Sequence, residues 1–278
     1  MEEFPRESFH QIVSQDPEVF HRLSADGYYD CAQMISEAVR QGASPWAISF
    51  GRGKEIPADV LHDLGCIMRH NPGTRGAVWS MVMWASASEL GYVPSTISLA
   101  RNLIMSDLYL AIAQMGKAEA RFRQLVARGK DPNALMVEGQ WLFKQGRFEA
   151  AVAMLQRALK AGSSGFEWKW TCLLWLGRAF LKLGRTEKAT EVFEPLAEFG
   201  YVDANVELAK LLRTTDPDRA QQHMYIAGCR GSTEMFTFLS EMALEAALAT
   251  QATDTRSSKE SRRWAVEWSR LANWRADY

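Results

Sequence analysis

Apolar residues recur every three or four positions along most of the chain, and glycines separate the stretches in which they do so. The clearest case is EGQWLFKQGRFEAAVAMLQRAL, residues 138–159. Apolar residues precede Gly146 at helical spacing, and Phe148, Val152 and Leu155 follow it in the same way. Such intervals place side chains on one face of a helix. The pattern therefore predicts two antiparallel helices joined at a glycine turn.

The same arrangement recurs before and after this stretch. A hairpin of this size cannot bury its apolar faces alone, so it requires neighbours of the same kind. An apolar residue followed by a small one marks the middle of further first helices, at Leu64-Gly65, Leu99-Ala100, Leu176-Gly177, Leu208-Ala209 and Leu239-Ser240. Glycine, a common residue just after a helix, closes the pairs at Gly91, Gly129, Gly162, Gly200 and Gly231. The chain therefore reads as a series of helical repeats.

This series resembles the tetratricopeptide repeat family, and in the second half of the chain it is more similar to the Sel-one-like branch of that family. Residues 132–162 and 170–200 fit the family pattern, and the stretch GYVDANVELAKLL…DPDRAQQHMYIAGCRG has the Sel-one-like form. The resemblance covers about residues 57–250. It implies an all-α fold, a right-handed α-solenoid of helical hairpins. It also implies a binding scaffold whose curved inner face holds a segment of another protein.

The two ends of the chain are expected to cap this solenoid. Residues 1–56 predict an N-terminal helical cap, residues 57–249 the repeats, and residues 250–278 a polar linker followed by a C-terminal capping helix. That last helix carries Trp264 and Trp268 on one side. Because Trp is enriched at binding hot spots, a helix that docks on a partner is the alternative.

Composition narrows the class of protein. The chain has 278 residues, of which 47% are hydrophobic, and a net charge of −1, which speaks against wholesale nucleic-acid binding. The most apolar stretch, residues 76–93, contains three serines and a glutamate, so no membrane insertion is expected. Four widely spaced cysteines and an acidic N-terminus favour the cytoplasm, with a mitochondrial location possible if the N-terminus is incomplete.

Two local patterns raise the question of chemistry. His62, Cys66 and His70 lie four residues apart on one predicted helix, but His70 is two turns from His62, too far for one tetrahedral metal site. The stretch FGRGKE, residues 50–55, departs from a phosphate-binding loop and reads as a flexible turn. No catalytic set of residues can be identified, so we predict no enzyme, no metal and no cofactor.

Cations on the predicted first helices suggest a binding surface. Aligning the repeats places Arg178 and Lys210 at equivalent groove-facing positions, with Lys182 and Arg213 one turn further along. A basic stripe of this kind could hold an acidic or C-terminal peptide by charge-assisted hydrogen bonds. The alternative is a solvated helix face. The predicted partner-binding residues are Met136, Gln140, Lys144, Trp175, Arg178, Lys182, Lys210 and Arg213.

The sequence therefore predicts a non-enzymatic scaffold that binds a peptide segment of another protein. Three alternatives remain: an assembly or maturation factor for an organellar complex such as a mitochondrial one, a fixed subunit of a larger complex, and, last, a metal-dependent or cryptic enzyme.

Overall fold

The computed structural model describes residues 4–48, 55–70 and 74–273, the last range without the side chain of Thr74. Secondary structure in these ranges is helical throughout, which confirms the predicted all-α fold. The chain forms two compact units, Met1–Trp141 and Leu142–Tyr278. In the described ranges, no helix is both long and apolar enough to cross a bilayer.

Helices make up most of the described part of the first unit. They are α1 Arg6–Gln15, α2 Ala25–Arg40, α3 Ala58–His70, α4 Thr74–Glu89, α5 Val93–Met105 and α6 Gly116–Arg128, and α7 Pro132–Lys144 ends just beyond the unit boundary. The second unit continues with α8 Phe148–Ala161, α9 Lys169–Lys182, α10 Thr186–Glu198, α11 Val202–Leu212, α12 Pro217–Cys229, α13 Glu234–Thr250 and α14 Thr255–Ala272.

The N-terminal helices are fixed to α3 by a buried polar cluster. Asp63 on α3 is 3% exposed. Arg22 donates two hydrogen bonds to its carboxylate, at 2.9 and 2.8 Å, and the hydroxyl of Tyr28 donates a third at 2.6 Å. Burial and the nearby carboxylate raise the pKa of Tyr28, so the hydroxyl stays protonated and keeps donating. A buried carboxylate is tolerated when its oxygens are paired in this way.

Small residues allow paired helices to approach closely. A Cβ added at Gly65 on α3 would overlap the indole of Trp84 on α4. That indole N–H donates to the backbone oxygen of His62 at 3.2 Å. Gly177 on α9 meets the ring of Phe193 on α10 in the same manner. The predicted small-residue positions in these helices are therefore contact points between the two helices of a hairpin.

The second unit is a run of helical hairpins. Gly146 and Gly184 join a first helix to its second, with φ of +74° and +70°, values that favour glycine over other residues. Neighbouring helices pack in pairs, α9 on α10, α11 on α12 and α13 on α14. The hairpins predicted from the periodicity at residues 170–231 are therefore present.

The connection to the last helix is shorter than the predicted linker. Asp254 accepts hydrogen bonds from the backbone N–H groups of Arg256 and Ser257, which starts α14 inside the polar stretch. The hydroxyls of Ser240 and Ser258 bridge α13 and α14 by donating to backbone oxygens at 2.8 Å. The predicted cap and repeat boundaries, at residues 56 and 250, stay predictions.

Candidate functional site

Four of the five predicted cations of the second unit lie on α9 and in the last turn and at the end of α11, and ion pairs join α9 to α11 and α11 to α13. On α9, Arg178 and Lys182 are one turn apart, and Lys210 and Arg213 lie in the last turn and at the end of α11. We call this surface the ladder face. It comprises Trp175, Arg178 and Lys182 of α9, Glu207, Lys210 and Arg213 of α11, and Glu234, Phe238, Glu241 and Glu245 of α13.

Each of three cations on the ladder face pairs with the next first helix. Arg178 Nε donates to Glu207 Oε1 at 2.6 Å. Lys210 Nζ lies 3.4 Å from Glu234 Oε1. Arg213 donates from its two terminal nitrogens to Glu241 at 3.0 Å and Glu245 at 2.9 Å. The predicted basic stripe is therefore partly neutralised by carboxylates of the following repeat.

Aromatic rings lie beneath these ion pairs. The ring of Phe238 lies 5.7 Å from Lys210 Nζ and 5.4 Å from the guanidinium carbon of Arg213. Trp175 is half-buried, with Arg178 5.7 Å from its ring centroid and Phe143 packed edge-on at 5.0 Å. Cations over ring faces gain electrostatic energy, and the gain grows where water is excluded. Burial lowers the pKa of Arg213, but the hydrogen bonds from Arg213 to Glu241 and Glu245 raise it by more. The pKa of Arg213 is therefore raised overall, and the guanidinium stays charged.

Charge changes in sign across the ladder face. The α9 edge offers Arg178 and the exposed Lys182, which forms no ion pair within the described ranges. The α13 edge offers Glu234, Glu241 and Glu245. Lys144, at the C-terminus of α7, is half-buried. The α9 edge is therefore the part of the face that is open to a negatively charged group.

Met136 and Gln140 do not share this exposure. Both are 0% exposed, and both lie in the first unit, whereas the other six predicted residues lie in the second. Residues 134–137 of α7 are all buried, so this part of the helix has no open face. Side chains without accessible surface offer no contact to a ligand. The expectation that these two line an open groove is therefore corrected: they belong to the core.

Several contributors to the ladder face escaped prediction. Glu207 lies three residues before Lys210 on α11, and Phe238 lies three residues before Glu241 on α13. Residues at this spacing share a helix face. That signal existed in the sequence, although it did not indicate which cation each carboxylate would meet.

The side chains of His62 and His70 contact other groups within the protein. His62 Nδ1 lies 2.9 Å from Ser95 Oγ, and its Nε2 lies 3.8 Å from Cys66 Sγ. His70 Nδ1 instead contacts the backbone oxygen of Cys66. Across the described residues, no three His, Cys, Asp or Glu side chains are grouped to hold a metal. The stretch at residues 50–55, which the sequence analysis compared with a phosphate-binding loop, lies mainly outside the described ranges.

Comparison with known proteins agrees with the helical-repeat fold. Two tetratricopeptide repeat family models match, one over residues 105–166 and the other over residues 142–212. The structure is similar to the crystal structure of a Sel1 repeat protein from Oxalobacter formigenes, with a TM-score of 0.52 and 16% sequence identity. That similarity covers 79% of this chain and 88% of the other. No curated protein matches the sequence.

The prediction of a tetratricopeptide-like and Sel1-like helical repeat protein is confirmed. Such repeats generally mediate protein–protein interaction, and the fold typically serves as a non-enzymatic scaffold.

Proposed function

We propose that this protein is a non-enzymatic scaffold that binds a peptide segment of a partner protein on the ladder face, with an acidic residue or C-terminal carboxylate of that segment at the α9 edge. One observation carries the proposal. Half-buried Trp175 lies beside Arg178, one turn before the exposed Lys182. A large aromatic ring next to cations combines an apolar anchor with charge-assisted hydrogen bonding.

The internal ion pairs limit which cations are available to a ligand. Arg178 already bonds Glu207, and Arg213 already bonds two glutamates. A ligand carboxylate would have to compete with these partners, whereas Lys182 has no ion pair to give up in the described ranges. Lys182 is therefore the first contact we propose for an acidic group. The cytoplasm stays our proposed compartment, on the grounds of the cysteine spacing.

A single charge reversal tests the proposal. Lys182→Glu should abolish capture of at least one partner in affinity purification with mass spectrometry, because it places a negative charge where the segment's acidic group binds. Lys188→Glu is the matched control, since Lys188 is also exposed but lies on α10, outside the ladder face. Arg178→Glu is a poor choice, because it would place two glutamates together and disturb the fold.

The captured protein must then bind directly. Peptides covering its acidic segments, labelled with a fluorophore, should bind the wild type and the Lys188→Glu variant with equal affinity and the Lys182→Glu variant at least about fivefold more weakly. Recovery of the same partners by all three proteins, or equal peptide affinities, would show that the α9 edge is only a solvated face.

A further inference from the structure

A cavity of about 690 Å³ lies in the second unit between α12, α13 and α14. Ala243, Ala246 and Ala249 line it from α13, and their small side chains leave the space open. Trp264 and Trp268 form its wall on α14. Arg213 and Glu245 belong both to this cavity and to the ladder face, so the cavity lies at the α13 edge of that face.

The aromatic wall is a fixed stack with one accessible end. Phe236 and Trp268 stack at 5.8 Å between centroids with 9° between ring planes, and Trp268 stacks on Trp264 at 5.5 Å and 22°. Tyr225 packs edge-on against Trp268 at 6.0 Å. Trp264, at the end of the stack, remains 53% exposed. The face of an indole ring carries negative electrostatic potential, so this wall is suited to a cation.

Carboxylates add negative charge to the same cavity. Asp218, in the first turn of α12, and Glu245 both line it. Asp218 forms no ion pair or side-chain hydrogen bond in the part of the chain that the structure describes. Arg213 also lines the cavity, but Glu241 and Glu245 already neutralise it. The lining of the cavity therefore contains two carboxylates, Asp218 and Glu245, and one guanidinium, which leaves it with a net negative charge.

We propose that this cavity, here called the cation pocket, binds an arginine side chain of a partner segment. The planar guanidinium would stack on Trp264 while donating hydrogen bonds to Asp218 and to the oxygen of Glu245 that Arg213 does not bond. Arginine fits better than lysine because its flat, delocalised cation stacks on aromatic rings and bonds carboxylates with two nitrogens. The proposal rests on the scaffold function, since it names the chemistry of the segment's second end. The segment is acidic where it meets Lys182 and basic where it meets α14.

The direct test uses a small probe in place of an unidentified partner. An acetylated and amidated pentapeptide with two arginines between glycines is titrated into the full chain, and the indole ¹⁵N–¹H resonances of Trp264 and Trp268 are followed. The same peptide with citrulline, which keeps the shape and loses the charge, is the matched ligand. We expect a saturable shift with the arginine peptide and an affinity about fivefold or more lower with citrulline.

Protein variants locate the site. Trp264→Leu and Asp218→Asn should each weaken the arginine peptide by about three- to thirtyfold, the range of one cation–π or charge-assisted contact. Glu260→Gln is the control, because Glu260 is an exposed carboxylate of α14 that does not line the cavity. Circular dichroism verifies that each variant is folded, and Trp264→Phe, which keeps a ring, should retain part of the affinity.

Three results would overturn the cation pocket: no saturable shift, equal affinity for the citrulline peptide, or unchanged affinity in both Trp264→Leu and Asp218→Asn. Failure of the scaffold proposal gives a different result. In that case Lys182→Glu keeps every partner, while the arginine peptide can still bind at Trp264.

Discussion

The close contact between α9 and α10 makes Gly177 the position where one added methyl group should have a measurable cost. A Cβ built at Gly177 lies 2.6 and 2.9 Å from two ring carbons of Phe193 and nearer still to a third. Ordinary contacts of this kind are 3.4–4 Å. Phe193 is fully buried, so its ring cannot turn into solvent to make room. We therefore expect Gly177→Ala to destabilise the protein, against the usual preference of helices for alanine.

Two opposing effects determine how much Gly177→Ala changes the free energy of unfolding. Alanine in a helix interior is favoured over glycine by about 1 kcal/mol. Overpacking a closed core costs about 1–3 kcal/mol. The free energy of unfolding should therefore fall by about 1 kcal/mol, equivalent to roughly 2–4 °C in melting temperature for a domain of this size.

A second substitution separates the steric effect from other causes. Phe193→Leu removes the ring that the new methyl group meets, so Gly177→Ala should cost less in that background than in the wild type. The coupling between the two changes should reach about 1 kcal/mol. The contact lies within one compact unit, so both changes report on the same structure.

Urea unfolding of the full chain, followed by far-ultraviolet circular dichroism, measures these differences, provided that the m-value stays constant. Gly116→Ala is the control, because Gly116 begins α6 and nothing lies within 4 Å of the added Cβ. That variant should be neutral or slightly stabilised. A Gly177→Ala protein that gains stability, or additive effects with Phe193→Leu, would refute the steric explanation.

Two further predictions concern the first unit. Burial lowers the pKa of His62 below its usual 6.5, so the folded state binds fewer protons than the unfolded state. The stability contributed by neutral His62 is thus present above pH 6.5 and is lost as the pH falls toward the folded pKa. The pH dependence of thermal melting should flatten in His62→Gln and remain in the control His70→Gln. Gln140 is buried, and its amide finds no hydrogen-bond partner within the described ranges. Gln140→Met should therefore raise the free energy of unfolding by about 1 kcal/mol in urea titrations, and a loss would show that the amide is satisfied by water.

The hairpins were predictable because their signal is local. Apolar spacing and glycine turns are encoded within about thirty residues, so the helices around Gly146 and Gly184 could be read directly. The ladder face was predictable only in part. The alignment placed Arg178 and Lys210 on one face, but whether Arg178 meets Glu207 depends on how neighbouring helices are aligned in space.

Two differences between the prediction and the structure have physical causes. Gln140 was assigned to an open groove by equivalence with other repeats, yet α7 is enclosed by apolar packing at residues 134–137. The run ALMV at these positions already indicated burial. Composition predicts a polar linker that begins at residue 250, and in the structure this connection is short because Asp254 caps a helix that begins at Thr255.

The ladder of ion pairs gives the hairpins of the second unit a direction. The α11 helix presents Glu207 to the preceding first helix and Lys210 and Arg213 to the following one. A tandem copy of α11 and α12 would therefore join head to tail, because its acidic edge would meet the basic edge of the copy before it. A tandem copy of α13 and α14 would leave its carboxylates without cations, because the α13 before it contains no lysine or arginine. The side-chain charges thus determine the order in which these repeats can follow one another. Engineered chains that extend or reorder the repeats have to keep an acidic edge next to a basic one.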